Sequence, residues 1–228
     1  MKNFILKHKD INVLKFSFNE NYEVENILAE YNIQHEPINV LYTTSKTKEE
    51  ALRYWWEDRT IPANRDGLAE NLPRLNVETT KKLLFKSFGL GLTDHYWIMP
   101  EDAELKWHSI NYYENPFSAD VGRILFDNDY YAKDINTFSP DNSSDGVSKK
   151  KWIIEENGER SLVKGGDIYA PQKPFNEVIA AEVCQRLNIS HAPYQVFSDD
   201  QKKVFYVKGQ NYTSEKTEFI NANHSEEG

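Results

Sequence analysis

Three charged residues in the stretch "SLVKGGDIYAPQKPFNEVIAAEVCQRL" are placed to do chemistry: Lys164, Glu177 and Glu182. Lys164 closes a short apolar run, two glycines follow, and the chain resumes in a helix pattern that carries both glutamates. An unpaired buried ammonium is costly to desolvate. Lys164 therefore either ends a strand in water or is held by a carboxylate, charged and able to grip phosphate oxygens. At 100° per residue Glu177 shares a helix face with Ala180, Ala181 and Cys184, small residues that permit close approach to a sheet. Glu182 falls among Phe175, Val178, Ile179 and Val183 and could equally point inward. Spacing leaves both open.

The elements around this stretch must place a lysine opposite a glutamate. From residue 139 the chain runs through a polar loop containing Gly146, a strand pattern "KKKWIIEE", and an Asn157-Gly158 turn. Asn-Gly between two strand-like runs is a hairpin signal. The Lys164 strand follows, then a helix over Pro174 to Leu187 with proline in its first turn, then strand patterns "PYQVFSDD" and "KKVFYVKG". Loop, strand, lysine strand, glutamate helix, strand, strand is the order of a protein-kinase small lobe.

Upstream the pattern is mixed. Phe4 to Leu6 and Val13 to Phe18 suggest strands. "TKEEALRYWWEDR" reads as a helix with capping-box spacing between Thr47 and Glu50. "NVETTKKLLFKSFG" is a second helix with Asn76 as expected N-cap and Gly89 at its end, and "SADVGRILF" a third, capped by Ser118. "DHYWIMPED" and "WHSINYYENPF" read as aromatic, turn-rich connections. A polar, turn-prone tract from Asn136 to Gly146 marks a shift in composition. The expectation is an α+β protein: a mixed accessory domain over residues 1–135, then a kinase-like N-lobe over 136–228, an antiparallel sheet with one main helix.

Composition narrows the function classes. The 228 residues carry 27 basic and 36 acidic side chains, a net charge of −9, which argues against a dedicated nucleic-acid surface. One cysteine, Cys184, permits no internal disulfide and suits a reducing compartment. The first apolar run is too short for a signal peptide, and no segment approaches the ~20 apolar residues of a membrane span. A cytoplasmic protein without membrane contact is expected.

The second half resembles the N-lobe of HipA-like serine/threonine kinases, a bacterial family that includes persistence toxins. The residues that carry the resemblance are "SSDGVSKKKW", "LVKGG", "NEVIAAEVCQRLNISHAPYQV" and "TEFINA". The first half is similar to the N-terminal region of phage- and Firmicute-type members through "WWEDRTIPANRDGL", "LLFKSFGLGLTDHYWIMP" and "LKWHSINYYENPFSADVG". The resemblance implies ATP as ligand, Lys164 as the nucleotide-binding lysine and Glu177 as its helix partner. It places Gly146 and Ser144 in the phosphate loop, and Gln210 to Tyr212 in the connector that meets the adenine edge. Ser143, Ser144 and Ser148 become candidate regulatory phosphosites. A phosphoryl group there adds negative charge where nucleotide phosphates must sit, so modification is expected to block ATP.

Kinases of this kind also need a larger lobe that supplies an aspartate base and the magnesium-holding aspartate and asparagine. The tail "TEFINANHSEEG" contains Glu218, His224, Glu226 and Glu227 but no aspartate. The expectation is thus an accessory domain plus nucleotide-gripping lobe of a toxin–antitoxin-type kinase, without the catalytic lobe and inactive in phosphoryl transfer alone. Magnesium would enter only with that lobe. The alternatives are a non-catalytic subunit of a split kinase, bound to a catalytic-lobe chain or an antitoxin-like protein, and a degenerate remnant.

Other signals are weaker. Asp141-x-Ser143-x-Asp145-Gly146 starts like a calcium loop, but Trp152 stands where a bidentate glutamate belongs. The histidines at 8, 35, 95, 108, 191 and 224 show no paired ligand spacing, and no metal site is expected. "GLGLT" lacks the third glycine of a dinucleotide fingerprint. Cys184 reads as a helix-packing residue and Trp55-Trp56 as core or interface.

Overall fold

Alternating apolar residues near the N-terminus form a hairpin of β1 (Lys2–His8) and β2 (Ile11–Phe18), with Phe4, Leu6, Val13, Leu14, Phe16 and Phe18 turned into one core. The computed structural model describes residues 2–43, 46–127, 130–166, 170–199 and 203–220. Expectations for His224, Glu226 and Glu227 lie outside them. β3 (Val24–Glu30) and β4 (Tyr96–Pro100) complete a four-stranded antiparallel sheet in the order β3-β2-β1-β4.

β4 corrects the reading of "DHYWIMPED" as a connection. Trp97 and Ile98 are fully buried because they pair with β1, a partner some ninety residues upstream that local pattern does not reveal. "WHSINYYENPF" likewise contains a short helix, α5 (Trp107–Ile110).

The helices cover this sheet and lead to the second one. After α1 (Ile38–Leu41), α2 (Lys48–Asp58) starts at the expected capping box, Thr47 and Glu50 each bonding the other's backbone N–H. Its buried face carries Ala51, Leu52, Trp55 and Trp56. α3 (Leu68–Asn71) precedes α4 (Thr80–Lys86), whose cap is Thr79 rather than Asn76. Asn76 instead takes a left-handed conformation, φ 52°, which closes a 3-10 turn over Leu72–Leu75. Gly89, φ +67°, ends this region beneath Trp56, where a Cβ would lie 2.7 Å from the indole. α6 (Asp120–Asp127) follows Ser118, whose hydroxyl accepts the Asp120 N–H at 3.1 Å.

The second sheet contains β5 (Lys150–Ile154), β6 (Arg160–Gly165), β7 (Tyr194–Asp199) and β8 (Val204–Gln210), antiparallel in the order β5-β6-β8-β7. α7 (Lys173–Arg186) joins β6 to β7. The protein is therefore α+β with two antiparallel sheets. They fall on either side of residue 135, yet packing is continuous across it. Trp152 of β5 is buried in one cluster with Leu90, Leu92, Trp97, Trp107 and Tyr112, and Leu162 packs on it. Lys151 pairs with Asp127 at 2.8 Å, and Arg160 Nε donates to the Tyr112 carbonyl at 2.9 Å.

Candidate functional site

Lys164 is the fifth residue of β6, and β6 is an inner strand, paired with β5 on one side and β8 on the other. Strand alternation buries Val163 and turns Lys164 to the other face, where α7 crosses. There Lys164 Nζ donates to Glu177 Oε1 at 2.8 Å and to the Tyr194 hydroxyl at 3.4 Å, and its charge lies 5.2 Å from the centre of the Tyr194 ring. Burial pulls the lysine pKa down, but the Glu177 hydrogen bond, with the nearby Tyr194 and Glu177 charges, outweighs it. The net shift is upward, so the ammonium is held charged.

The structure chooses between the two glutamates. Glu182 is exposed. The apolar residues around it are open too: Ile179 is 60 % exposed and Val183 49 %. α7 meets the sheet near its N-terminus instead, where Pro174 is buried, Phe175 packs on Phe205 of β8 at 4.9 Å and Glu177 reaches Lys164.

A cleft of about 390 Å³ opens between this pair and the loop before β5. Gly146, Val147 and Ser148 form one wall, Lys150, Lys164 and Val207 the floor, and Lys173, Asn176 and Glu177 the helix side. That volume lies within the range of small-ligand sites. Three lysines give it a positive interior. Lys150 stands directly across the β5–β6 ladder from Lys164. Its pKa is lowered to about 8 by burial first and then by Arg65 and Lys164. Lys173 Nζ bridges to Ser148 Oγ at 3.0 Å.

The loop is shaped by the first half of the chain. Arg65 Nε donates to the Gly146 carbonyl at 2.9 Å, and its other nitrogens bond the Ser144 hydroxyl, at 2.7 Å, and the Ser144 carbonyl. Asp66 N–H donates to the Val147 carbonyl at 3.0 Å. Burial lowers the Arg65 pKa to about 10, with Asp141 and Asp145 opposing the fall. Gly146 sits at φ +87°, and a Cβ there would meet Lys150 Nζ at 2.5 Å. The positive φ favours glycine, while the lysine end, being flexible, could move aside.

Not every expected residue reaches the cleft. Gly146, Ser148, Lys164 and Glu177 line it. Ser144 does not: it is 7 % exposed, its hydroxyl held by Arg65 and donated to the Asp141 carbonyl. Ser143 also faces away, donating to the carbonyls of Leu90 and Pro140. Both belong to the 3-10 turn region at Pro140–Ser143, which Ser143 ties to the Leu90 carbonyl after α4. Gln210 and Tyr212 line a separate pocket with His191 and Pro193. Burial raises the Tyr212 pKa, Tyr194 adds to the rise, and Lys164 opposes it. The calcium-like Asp141 is 1 % exposed and committed to protein donors: Trp152 N–H at 2.9 Å and the Ser139 hydroxyl at 2.9 Å. Burial pushes its pKa up to about 6 against those bonds.

Sequence reading missed Arg65, Lys150 and Lys173. Lys150 stands opposite Lys164 because the hairpin is centred on Asn157; counting outward from a two-residue Asn157-Gly158 turn would put Lys151 there instead. Arg65 has no local signal, because its partners lie 79 to 81 residues away. No protein-family model matches the chain, and no curated protein matches it.

Proposed function

We propose that the chain binds an adenine nucleotide through a kinase-like small lobe of the HipA-like type, with the phosphates in the Lys164 cleft. One observation carries this reading: the 2.8 Å Lys164–Glu177 pair on the wall of a lysine-rich cleft beneath a glycine loop. Lys150, whose Nζ donates to the Asp145 carbonyl of the loop, is buried beside two other cations, which weakens its hold on a proton. An anion in the cleft relieves that repulsion. In this reading Gly146 and Ser148 approach the phosphates and Gln210 to Tyr212 meet the base. Ser148 is the candidate phosphosite that faces the ligand. Phosphoryl transfer requires the aspartate base and the magnesium-holding aspartate and asparagine of a large lobe, supplied by further sequence or by another chain.

A second reading, a non-catalytic subunit that docks a partner chain, is favoured by one feature. Ile179 and Val183 of α7 and Leu187 at its end are 49 to 64 % exposed. Such a stripe is normally covered.

Thermal unfolding with and without ATP tests the primary reading. Bound ligand stabilises the folded state by about 2.7 kcal/mol at a hundredfold excess over Kd. ATP should raise the Tm of the unmodified chain and of Lys208→Ala, which loses a sheet ion pair outside the cleft, but not of Lys164→Ala. An equal ATP response in Lys164→Ala would remove the proposal.

A further inference from the structure

His8, His95 and Glu218 are separated by up to 210 residues, yet one ligand atom from each lies within 4.8 Å of the others. His8 is the last residue of β1, and His95 immediately precedes β4, its neighbour in the sheet. Glu218 arrives on the segment after β8, pinned by the Phe219 N–H to the Thr93 carbonyl at 2.8 Å. His8 Nε2 is 3.0 Å from Glu218 Oε2, and His95 Nδ1 is 3.5 Å from Glu218 Oε1.

The outer hydrogen bonds fix which nitrogens point inward. His95 Nε2 lies 2.8 Å from the Ser214 carbonyl, which can only accept, so this nitrogen carries a proton. A neutral His95 then presents a bare Nδ1 to a carboxylate oxygen that already accepts the His95 backbone N–H at 2.7 Å. Two acceptors face each other at a site where His95 is 3 % exposed. His8 Nδ1 lies 3.1 Å from His35 Nδ1 and can give its proton there, which frees Nε2. With that arrangement all three groups offer a lone pair from atoms within 4.8 Å of one another. A backbone carbonyl or a second imidazole behind each histidine is the support that metal-bound histidines have.

We propose that His8, His95 and Glu218 bind a divalent transition-metal ion of the zinc type, and that the ion ties the segment after β8 to the edge of the first sheet. Two imidazoles and a carboxylate suit zinc, with bonds of roughly 2.0–2.2 Å, so tetrahedral ligand atoms stand about 3.3–3.5 Å apart. The two histidines reach the two oxygens of Glu218 at 3.0 and 3.5 Å, His8 at Oε2 and His95 at Oε1, so the carboxylate lies between both imidazoles at near-ligand spacing. Three protein ligands leave a coordination position for water or another ligand. Glu218 also lines a cavity of about 420 Å³ with Trp55, Arg59 and Tyr96. The site does not depend on the nucleotide reading.

The test is a titration of the untagged, metal-free full chain with zinc chloride by calorimetry, with cobalt(II) as the spectroscopic probe. One zinc per chain is expected, together with the visible absorption of four- or five-coordinate cobalt. Glu218→Gln and His8→Asn should each weaken zinc binding about 100-fold or more, since loss of even a supporting partner costs 10- to 100-fold. Circular dichroism of the metal-free variants checks their folding. Independently of any variant, zinc should protect His8 of the unmodified chain from diethyl pyrocarbonate, read by peptide mass spectrometry. Absence of saturable binding, binding unchanged in the folded variants, or no protection of His8 would each overturn the proposal and leave a hydrogen-bonded cluster only.

Discussion

Replacing Glu177 by glutamine removes one negative charge beside Lys164 and keeps an acceptor of nearly the same shape. The change therefore isolates the Coulombic part of the pair. Charges about 4 Å apart attract by roughly 4 kcal/mol at an effective dielectric of 20. The two side chains retain 26 and 34 % of their exposure, so water screens much of this. Exposed pairs contribute ~0–1 kcal/mol, and breaking buried ones costs ~3–5. A half-buried pair with good geometry falls between, at about 1–2 kcal/mol. For a domain of this length that is a fall in Tm of roughly 2–8 °C.

The pH dependence has a definite sign. The folded pKa of Lys164 is raised, so its stabilisation is fully present below the ordinary lysine value of 10.5 and disappears as pH climbs through the higher folded value. Thermal unfolding followed by circular dichroism should show a constant gap between the unmodified chain and Glu177→Gln from pH 7 to 10, closing above that. A gap under about 1 °C at pH 7.5, or one that persists unchanged beyond pH 11, refutes the account of the pair.

Two further outcomes follow from the packing around the loop. In Gly122→Ala the added Cβ would lie 2.5 Å from Asp141 Oδ2 and 2.9 Å from Lys151 Cβ. Overpacking at about 1–3 kcal/mol outweighs the ~1 kcal/mol gained by alanine in a helix, so the urea midpoint should fall; an unchanged midpoint contradicts this. Lys150, with its pKa near 8, should lose its proton between pH 7.5 and 9. Tripolyphosphate affinity, measured by calorimetry, should then drop about tenfold over that interval in the unmodified chain and stay flat in Lys150→Gln.

Local rules made much of the second sheet legible. Asn157-Gly158 marks the hairpin, though not its register, which is one residue off that of a two-residue turn; the proline at the start of α7 marks a first turn, and Thr47 with Glu50 announces α2. These signals act within a few residues, so the sequence carries them directly. The Lys164 strand and the glutamate helix could be proposed for the same reason; spacing left their pairing open, and only the resemblance favoured Glu177. Whether Glu177 or Glu182 faced the sheet depended on how α7 rolls. Ile179 and Val183, on the apolar side of the helix, stay largely exposed, against the usual inference from periodicity.

Other features existed only once the chain had closed on itself. β4 is a strand because β1 lies beside it. Arg65 shapes the glycine loop from 81 residues away. His8, His95 and Glu218 have no spacing that suggests a shared ion, because β1, the entry to β4 and the segment after β8 meet through sheet pairing and not through sequence proximity. Composition and short-range pattern determined the α+β character and the candidate lysine. Long-range strand pairing decided which charges share a cleft, since the distance between two side chains is set by the backbones that carry them.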